Sequence, residues 1–258
     1  MVRFDYHTHS NYSDGYFIPG MVRAAEAADL DGIGFADHCN VTAEGDARRR
    51  LDGLGFALDE TYHRRREGIE WARTETDLEI FDAVEMDYVP GREADIGSFL
   101  AEARFDYAVG SVHSVNGADV QWSENFVGLD DAERRAVVDG YYDNLAALAD
   151  SELFDIAAHA DLVERTPELR GYSTAEHYEQ AAAAFAGSAT VPEINAGRVL
   201  DDYGEFHPAP DLLTTLLDHG VEFTVGSDAH RPEEVGRRID ALERHFDDHG
   251  IEPAAIDI

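Results

Sequence analysis

The stretch Asp5-Tyr-His7-Thr-His9-Ser-Asn-Tyr-Ser-Asp14 sets two imidazoles one residue apart, with a carboxylate one loop-length later. It follows a short apolar start (Val2, Phe4, Tyr6), so the histidines fall at or just past a strand end. Side chains two apart on an extended chain point the same way. Two imidazoles aimed at one spot beside a carboxylate is metal-ligand chemistry, although His-x-His alone also occurs as an ordinary polar strand edge. Here it has company. Further along stand Asp37-His38, Glu85-Met-Asp87, His113, His159-Ala-Asp161 and Asp228-Ala-His230. The candidate ligands are His7, His9, Asp14, His38, Glu85, His113, His159, Asp228 and His230. That is too many for one zinc ion, which takes about four, and enough for two to three divalent ions. Histidine and carboxylate without thiolate suits Mn, Fe or Zn.

These residues need elements that deliver them to one place. β-like runs near residues 2–6, 32–36, 79–84, 106–110, 153–158, 189–194 and 221–225 alternate with helix-like ones. The helical candidates are 20–30, 93–103, 130–149, 174–186, 211–219 and 233–249. Residues 46–74, rich in Arg and Glu with a Gly53/Gly55 break, read as one or two helices forming an insertion within a single domain over 1–258. Such alternation predicts a parallel α/β fold, and its repetition favours a barrel. Every candidate ligand follows one of the strands. In a parallel barrel all of those positions face the same end, where active sites are built. Six of the 12 histidines belong to this set; His63, His177, His207, His219, His245 and His249 read as solvated or capping side chains.

Composition narrows the rest. The chain has 258 residues, one cysteine and a formal net charge of −34, with 54 acidic residues against 20 basic ones, all arginine. A single cysteine, Cys39, excludes a disulfide framework and reads as a small inert buried residue. No basic stripe exists to neutralise phosphates, which argues against nucleic acid, and no apolar run approaches the roughly 18 residues a bilayer span needs. Met1-Val-Arg leads directly into a strand pattern, so the sequence predicts a cytoplasmic protein without a leader. Charge this extreme predicts adaptation to a salty cytoplasm, where the Debye length falls to about 3 Å at 1 M and like-charge repulsion is screened. Unfolding followed against KCl checks this: stability is expected to rise steeply with salt, and full stability without it would contradict the reading.

The series His7-x-His9, Asp37-His38, Glu85, His113, His159 and Asp228-x-His230, in that order over essentially the whole chain, resembles the polymerase-and-histidinol-phosphatase (PHP) superfamily. The resemblance implies a distorted (β/α)7 barrel, in agreement with the strand count. It also implies a trinuclear centre. One ion would be held by His7, His9, Glu85 and Asp228, a second by Glu85, His113 and His159, and a third by Asp14, His38 and His230. The stretches around Glu85-Met-Asp87-Tyr88, Phe105–His113, His159-Ala-Asp161 and Glu193-Ile-Asn195-Ala-Gly197-Arg198 are similar to the monofunctional histidinol-phosphatase branch. That branch hydrolyses L-histidinol phosphate to L-histidinol and phosphate in histidine synthesis.

A cluster of cations facing an anion suits phosphoester hydrolysis, because metals lower the pKa of bound water and neutralise phosphoryl charge. The planar guanidinium fork suits phosphate oxygens, and Arg165 and Arg198 match the branch's phosphate-holding pair. Asp228, His230 and Asp161 are assigned to the catalytic set. Asp161 serves either to orient a metal-bound histidine or to supply the leaving-group proton. Glu193 or Asp161 are the carboxylates that could meet the amine of the substrate. Asn195-Ala-Gly197 lacks a hydroxyl residue expected in that branch, which keeps open a PHP phosphoesterase acting on nucleotides or 3′,5′-bisphosphates. Tyr12, Tyr16, Phe17, Tyr88 and Trp122 are its possible stacking partners. A non-catalytic PHP metal-binding module would carry a degraded ligand set, and this one is full.

Overall fold

Short buried strands alternating with helices wrap into a seven-stranded parallel barrel in a computed structural model, which describes residues 1–256 and 258. The strands are β1 (Phe4–Thr8), β2 (Gly32–Cys39), β3 (Glu79–Asp87), β4 (Tyr107–Ser111), β7 (Ile156–Ala157), β8 (Val191–Asn195) and β9 (Thr224–Gly226). They pair in sequence order, every neighbour parallel. The small hairpin β5 (Ser114–Val115) and β6 (Ala118–Asp119) lies outside this order. Closure occurs at the C-terminal ends of the outer strands, where the Asp228 N–H donates to the His7 carbonyl at 2.7 Å and the His9 N–H to the Ala229 carbonyl at 2.9 Å. The seam of the barrel therefore runs through three of the candidate ligands, His7, His9 and Asp228.

Crossovers are helical, which lets right-handed parallel connections pack back on the sheet. They are α1 (Ile18–Ala27), α2 (Gly45–Leu54), α3 (Leu58–Arg73), α4 (Glu93–Ala103), α5 (Asp131–Asp150), α6 (Ala175–Ala186) and α7 (Pro210–Asp218), with α8 (Pro232–His249) following the last strand. Local signals fix their ends. Pro19 stands in the first turn of α1, and Asp130 caps α5 by accepting from Ala132 and Glu133 while Glu133 reaches back to the Asp130 N–H. The 46–74 stretch resolves into α2 and α3, parted by Gly55 at φ +82. α2 buries nothing; α3 buries Leu58, Tyr62, Arg65, Ile69 and Ala72. Among the described residues no helix is long and apolar enough to cross a membrane.

The barrel interior has an apolar floor under a polar mouth. Tyr6, Ala36, Ala83, Tyr107, Val109, Ile156 and Ala158 form the floor, closed below by Phe4, Phe81 and Ile256. Small residues make room for the tyrosines: a Cβ on Gly34 would stand 1.7 Å from the Tyr107 hydroxyl, which donates to the Tyr6 carbonyl at 2.5 Å. Following the same inward phase up the strands leads from Ala36 to His38 and from Ala83 to Glu85.

β1 would break that phase without a local irregularity. Strict alternation puts Tyr6 inward and His7 and His9 outward. Asp5 pairs with Ile33, but Thr8 pairs with Phe35, so three steps on β1 match two on β2. The extra residue brings His9 level with Ala36, inside the barrel, in the way bulges re-aim side chains near active sites. Strands also run further than the sequence suggests. His38, Glu85 and Asp87 sit within the last residues of β2 and β3 and not in loops.

Candidate metal centre

Glu85 is the hub. Its carboxylate, 1% exposed, faces His38 Nδ1 at 2.6 Å, His159 Nε2 at 3.1 Å, His113 Nε2 at 3.3 Å, His7 Nε2 at 3.5 Å and His9 Nε2 at 3.7 Å. Around it, Asp228 Oδ1 stands 3.2 Å from His9 Nε2 and 3.6 Å from His230 Nδ1, and Asp14 Oδ1 lies 3.2 Å from His230 Nε2 and 3.7 Å from His38 Nε2. All nine sequence-predicted ligands thus converge on the barrel mouth. Three sets come close enough to hold an ion, their ligand atoms lying within 4.8 Å of one another: His7, His9 and Glu85; His38, Glu85 and His113; and His9, Asp14, His38 and His230.

The donor set fits a cation. His7 Nε2 and His9 Nε2 are buried, have no hydrogen-bond partner and face the Glu85 carboxylate. Each such group left unpaired costs about 1–3 kcal/mol, so two aimed at one carboxylate call for a ligand. Second partners set the tautomers. Glu193 Oε2 takes the Nδ1 proton of His7 at 2.9 Å and Asp87 Oδ1 that of His113 at 2.6 Å, leaving each Nε2 lone pair toward the centre. The Arg238 guanidinium from α8 braces the Asp228 carbonyl at 2.6 Å. Asp228 and His159 both adopt left-handed backbone, at φ +52 and φ +29, a conformation non-glycine residues keep when the surroundings impose it. Gly197 is obligatory beside Asp228, since a Cβ there would stand 2.4 Å from its carboxylate.

In the metal-free protein the carboxylates keep several imidazoles charged. Burial alone would lower His38, but the Glu85 charge outweighs it and pushes the ring up to about 9; His7 and His113 are raised well above the usual histidine range in the same way. Burial, then repulsion from His230 and His38, pulls His9 down to about 4. Glu85 and Asp228 are held well below the carboxylate range by the surrounding histidines, against the opposing effect of burial. For a base with a raised folded value the sign is fixed. His38 adds stability below its ordinary 6.5 that is lost as pH climbs through about 9. A metal needs those rings neutral. Metal uptake near pH 7 is therefore expected to release protons and to tighten as pH rises from 6.5 toward 9. Calorimetric titration with Mn²⁺ in buffers of different ionisation enthalpy measures the release; uptake without it would contradict this electrostatic picture.

The sequence matches the PHP domain family over residues 5–196. The chain belongs to this family. Among curated relatives, a histidinol-phosphatase of Lactococcus lactis subsp. lactis is 26% identical over 89% of this chain and 85% of its own length. A probable histidinol-phosphatase of Deinococcus radiodurans is 28% identical over 88% of this chain and 85% of its own length. The crystal structure of the Lactococcus histidinol phosphate phosphatase, complexed with zinc, L-histidinol and phosphate, superposes with a TM-score of 0.79 at 22% identity, covering 98% of this chain and 96% of the other. At that identity the superposition establishes the fold: the distorted PHP barrel.

Around this PHP centre the other predicted residues fall into different places. Arg165 ends a short 3₁₀ turn (Leu162–Arg165) after β7, and Arg198 follows β8. The two lie close enough that, after burial, Arg198 is the main influence lowering Arg165, to about 10. Arg198 pairs with Asp201 at 2.9 Å, whereas no ion pair or side-chain hydrogen bond of Arg165 is found among the described residues. Asp161 orients none of the clustered histidines; its carboxylate takes the Nδ1 proton of His207 at 2.6 Å and the Ala209 N–H at 2.7 Å. Glu193 is fully buried under His7 and holds the His159 N–H and the Asn195 amide as well, so it cannot reach a substrate amine. Cys39 is buried, and burial raises its thiol.

His207 is the residue sequence reading passed over. It is 1% exposed, pairs in backbone with Asn195 at the end of β8, and leaves its Nε2 buried and unpartnered, 6.5 Å between ring centres from His159. A lone His-Pro in a long loop gave no spacing signal. Asp87 and Glu193, seen in the sequence as neighbours of the motifs, take orienting roles.

Proposed function

We propose that this chain is a metal-dependent phosphomonoester hydrolase that converts L-histidinol phosphate and water to L-histidinol and phosphate, with residues 1–258 acting as one barrel domain. The observation that carries it is the convergence of five imidazoles on Glu85, together with an arginine, Arg165, that has no side-chain partner among the described residues and feels the Asp228 charge. The names of the curated relatives support the substrate. Two to three divalent ions, Mn, Fe or Zn, would be held by His7, His9, Glu85 and Asp228, by Glu85, His113 and His159, and by Asp14, His38 and His230. When bound they supply an acidified water and neutralise charge on the phosphoryl oxygens.

The chain's own residues do the rest. Arg165 and Arg198 bind the non-bridging phosphate oxygens through their planar forks. Glu193 and Asp87 hold His7 and His113 in the tautomer that faces the centre. Asp161 holds the His207 ring through its Nδ1, and Nε2 is the atom that hands a proton to the departing alkoxide oxygen as the P–O bond breaks. Phosphate release is measured from L-histidinol phosphate beside AMP, a 3′,5′-bisphosphate and p-nitrophenyl phosphate, in molar KCl with Mn²⁺ and a chelated control. Strong preference for histidinol phosphate, lost on chelation, is the expected result. Preference for a nucleotide would keep the chemistry and discard the substrate; no turnover of any would leave a metal-binding module.

A further inference from the structure

Asp37 precedes His38 in the sequence, yet its carboxylate serves a different neighbourhood. It accepts from the Ser10 N–H at 2.7 Å, the Ser10 hydroxyl at 2.6 Å and the Ser13 hydroxyl at 2.7 Å, all on the loop that leads from His9 to Asp14. Its fourth donor is Arg65 of α3 at 2.9 Å. Arg65 is wholly buried and also donates to Asp82 at 2.6 Å and to the Ala83 carbonyl, two residues before Glu85. One guanidinium thus ties β2, β3 and, through Asp37, the β1–α1 loop.

The chain of donors has a direction. The Ser13 hydroxyl gives its single proton to Asp37, so toward His9 it can only accept. His9 Nδ1, 3.4 Å away, then carries the proton, and the Nε2 lone pair faces Asp228 at 3.2 Å. The same loop is pinned by the Ser13 and Gly15 N–H groups on the Ser10 carbonyl, at 3.1 and 2.9 Å, which fixes where Asp14 emerges. His9 and Asp14 are both members of the four-residue set with His38 and His230.

We propose that Arg65, acting through Asp37 and Ser13, is a positioning residue for two neighbouring ligands, His9 and Asp14, which lie in one close set with His38 and His230. This rests on the metal reading above, and it gives α3, an element outside the motif series, a part in the centre. A lysine cannot replace it, because one ammonium does not reproduce a fork that spans two carboxylates and a carbonyl.

The test compares Ser13→Ala, Ser13→Thr and Arg65→Lys with the unaltered protein. Mn²⁺ equivalents and their affinities are measured by titration, and unfolding temperature is measured after chelation. Ser13→Ala removes one hydroxyl at the loop and leaves the buried ion pairs intact, so it remains informative if Arg65→Lys fails to fold. The expected result is loss or roughly tenfold weakening of one equivalent in Ser13→Ala and Arg65→Lys, the remaining equivalents unmoved, with Ser13→Thr restoring it. Variants that bind Mn²⁺ as the unaltered protein does, and differ only in unfolding temperature, would make Arg65 a structural brace and overturn the proposal. An unaltered protein that takes up no Mn²⁺ would instead sink the metal reading, and this proposal with it.

Discussion

Glu85→Ala is expected to cut phosphate release from L-histidinol phosphate by roughly 10³-fold or more, about 4 kcal/mol of transition-state stabilisation. No other side chain of the centre faces five imidazoles, with separations of 2.6 to 3.7 Å. Its removal leaves the surrounding rings without their shared carboxylate and takes the common ligand from two of the three sets. It also withdraws the charge that lifts His38, His7 and His113. Their values fall, so the metal-free variant should lose the rise in stability expected of the parent as pH falls from about 9 to 6.5. Glu85→Gln separates shape from charge, since the amide fills the same space but is a poor anionic bridge. Metal content per chain should drop in both variants. Glu85→Gln retaining parental activity and metal content would remove Glu85 from the centre.

Much of this centre was legible because metal ligands must sit at strand ends and a parallel barrel gathers strand ends at one face. His7-x-His9, Glu85, His113 and Asp228-x-His230 needed only that rule. What stayed hidden depends on contacts between elements distant in sequence. Alternation on β1 would turn His9 outward; the irregularity between Asp5 and Thr8 that turns it inward exists only in the pairing with β2. Glu193 looked available for a substrate amine until its burial under His7 fixed it as that ring's partner. Asp161 looked like an orienting group for a metal-bound histidine, but 46 residues of chain return through the loop after β8 to offer it His207. Arg65 had no sequence signal at all. On an Arg-rich helix it is indistinguishable from Arg64 or Arg66 until packing takes it to 0% exposure between Asp37 and Asp82.

Arg165→Ala should lower kcat/KM about 10²-fold, about 2.7 kcal/mol, without lowering the unfolding temperature of the protein. The two halves of this expectation have one cause. Arg165 is partly buried, faces a second cation in Arg198, and has no side-chain partner among the described residues, so its charge is disfavoured in the folded chain and its value is pulled down to about 10. A base with a lowered folded value costs stability wherever it is charged, which covers the whole neutral range, so alanine there removes a cost. Such a group is kept where a ligand supplies the missing anion, the trade of stability for function seen at binding sites. Phosphate oxygens would accept from the fork and screen it from Arg198. Arg165→Lys should recover part of the loss as a point charge, and Arg198→Ala should cost less because that guanidinium already shares Asp201. Since Arg165 stays protonated until pH approaches about 10, the parent's kcat/KM should hold through pH 8 so far as this residue decides it. A variant that unfolds several degrees earlier yet hydrolyses substrate normally would place Arg165 in the fold and not in the phosphate site.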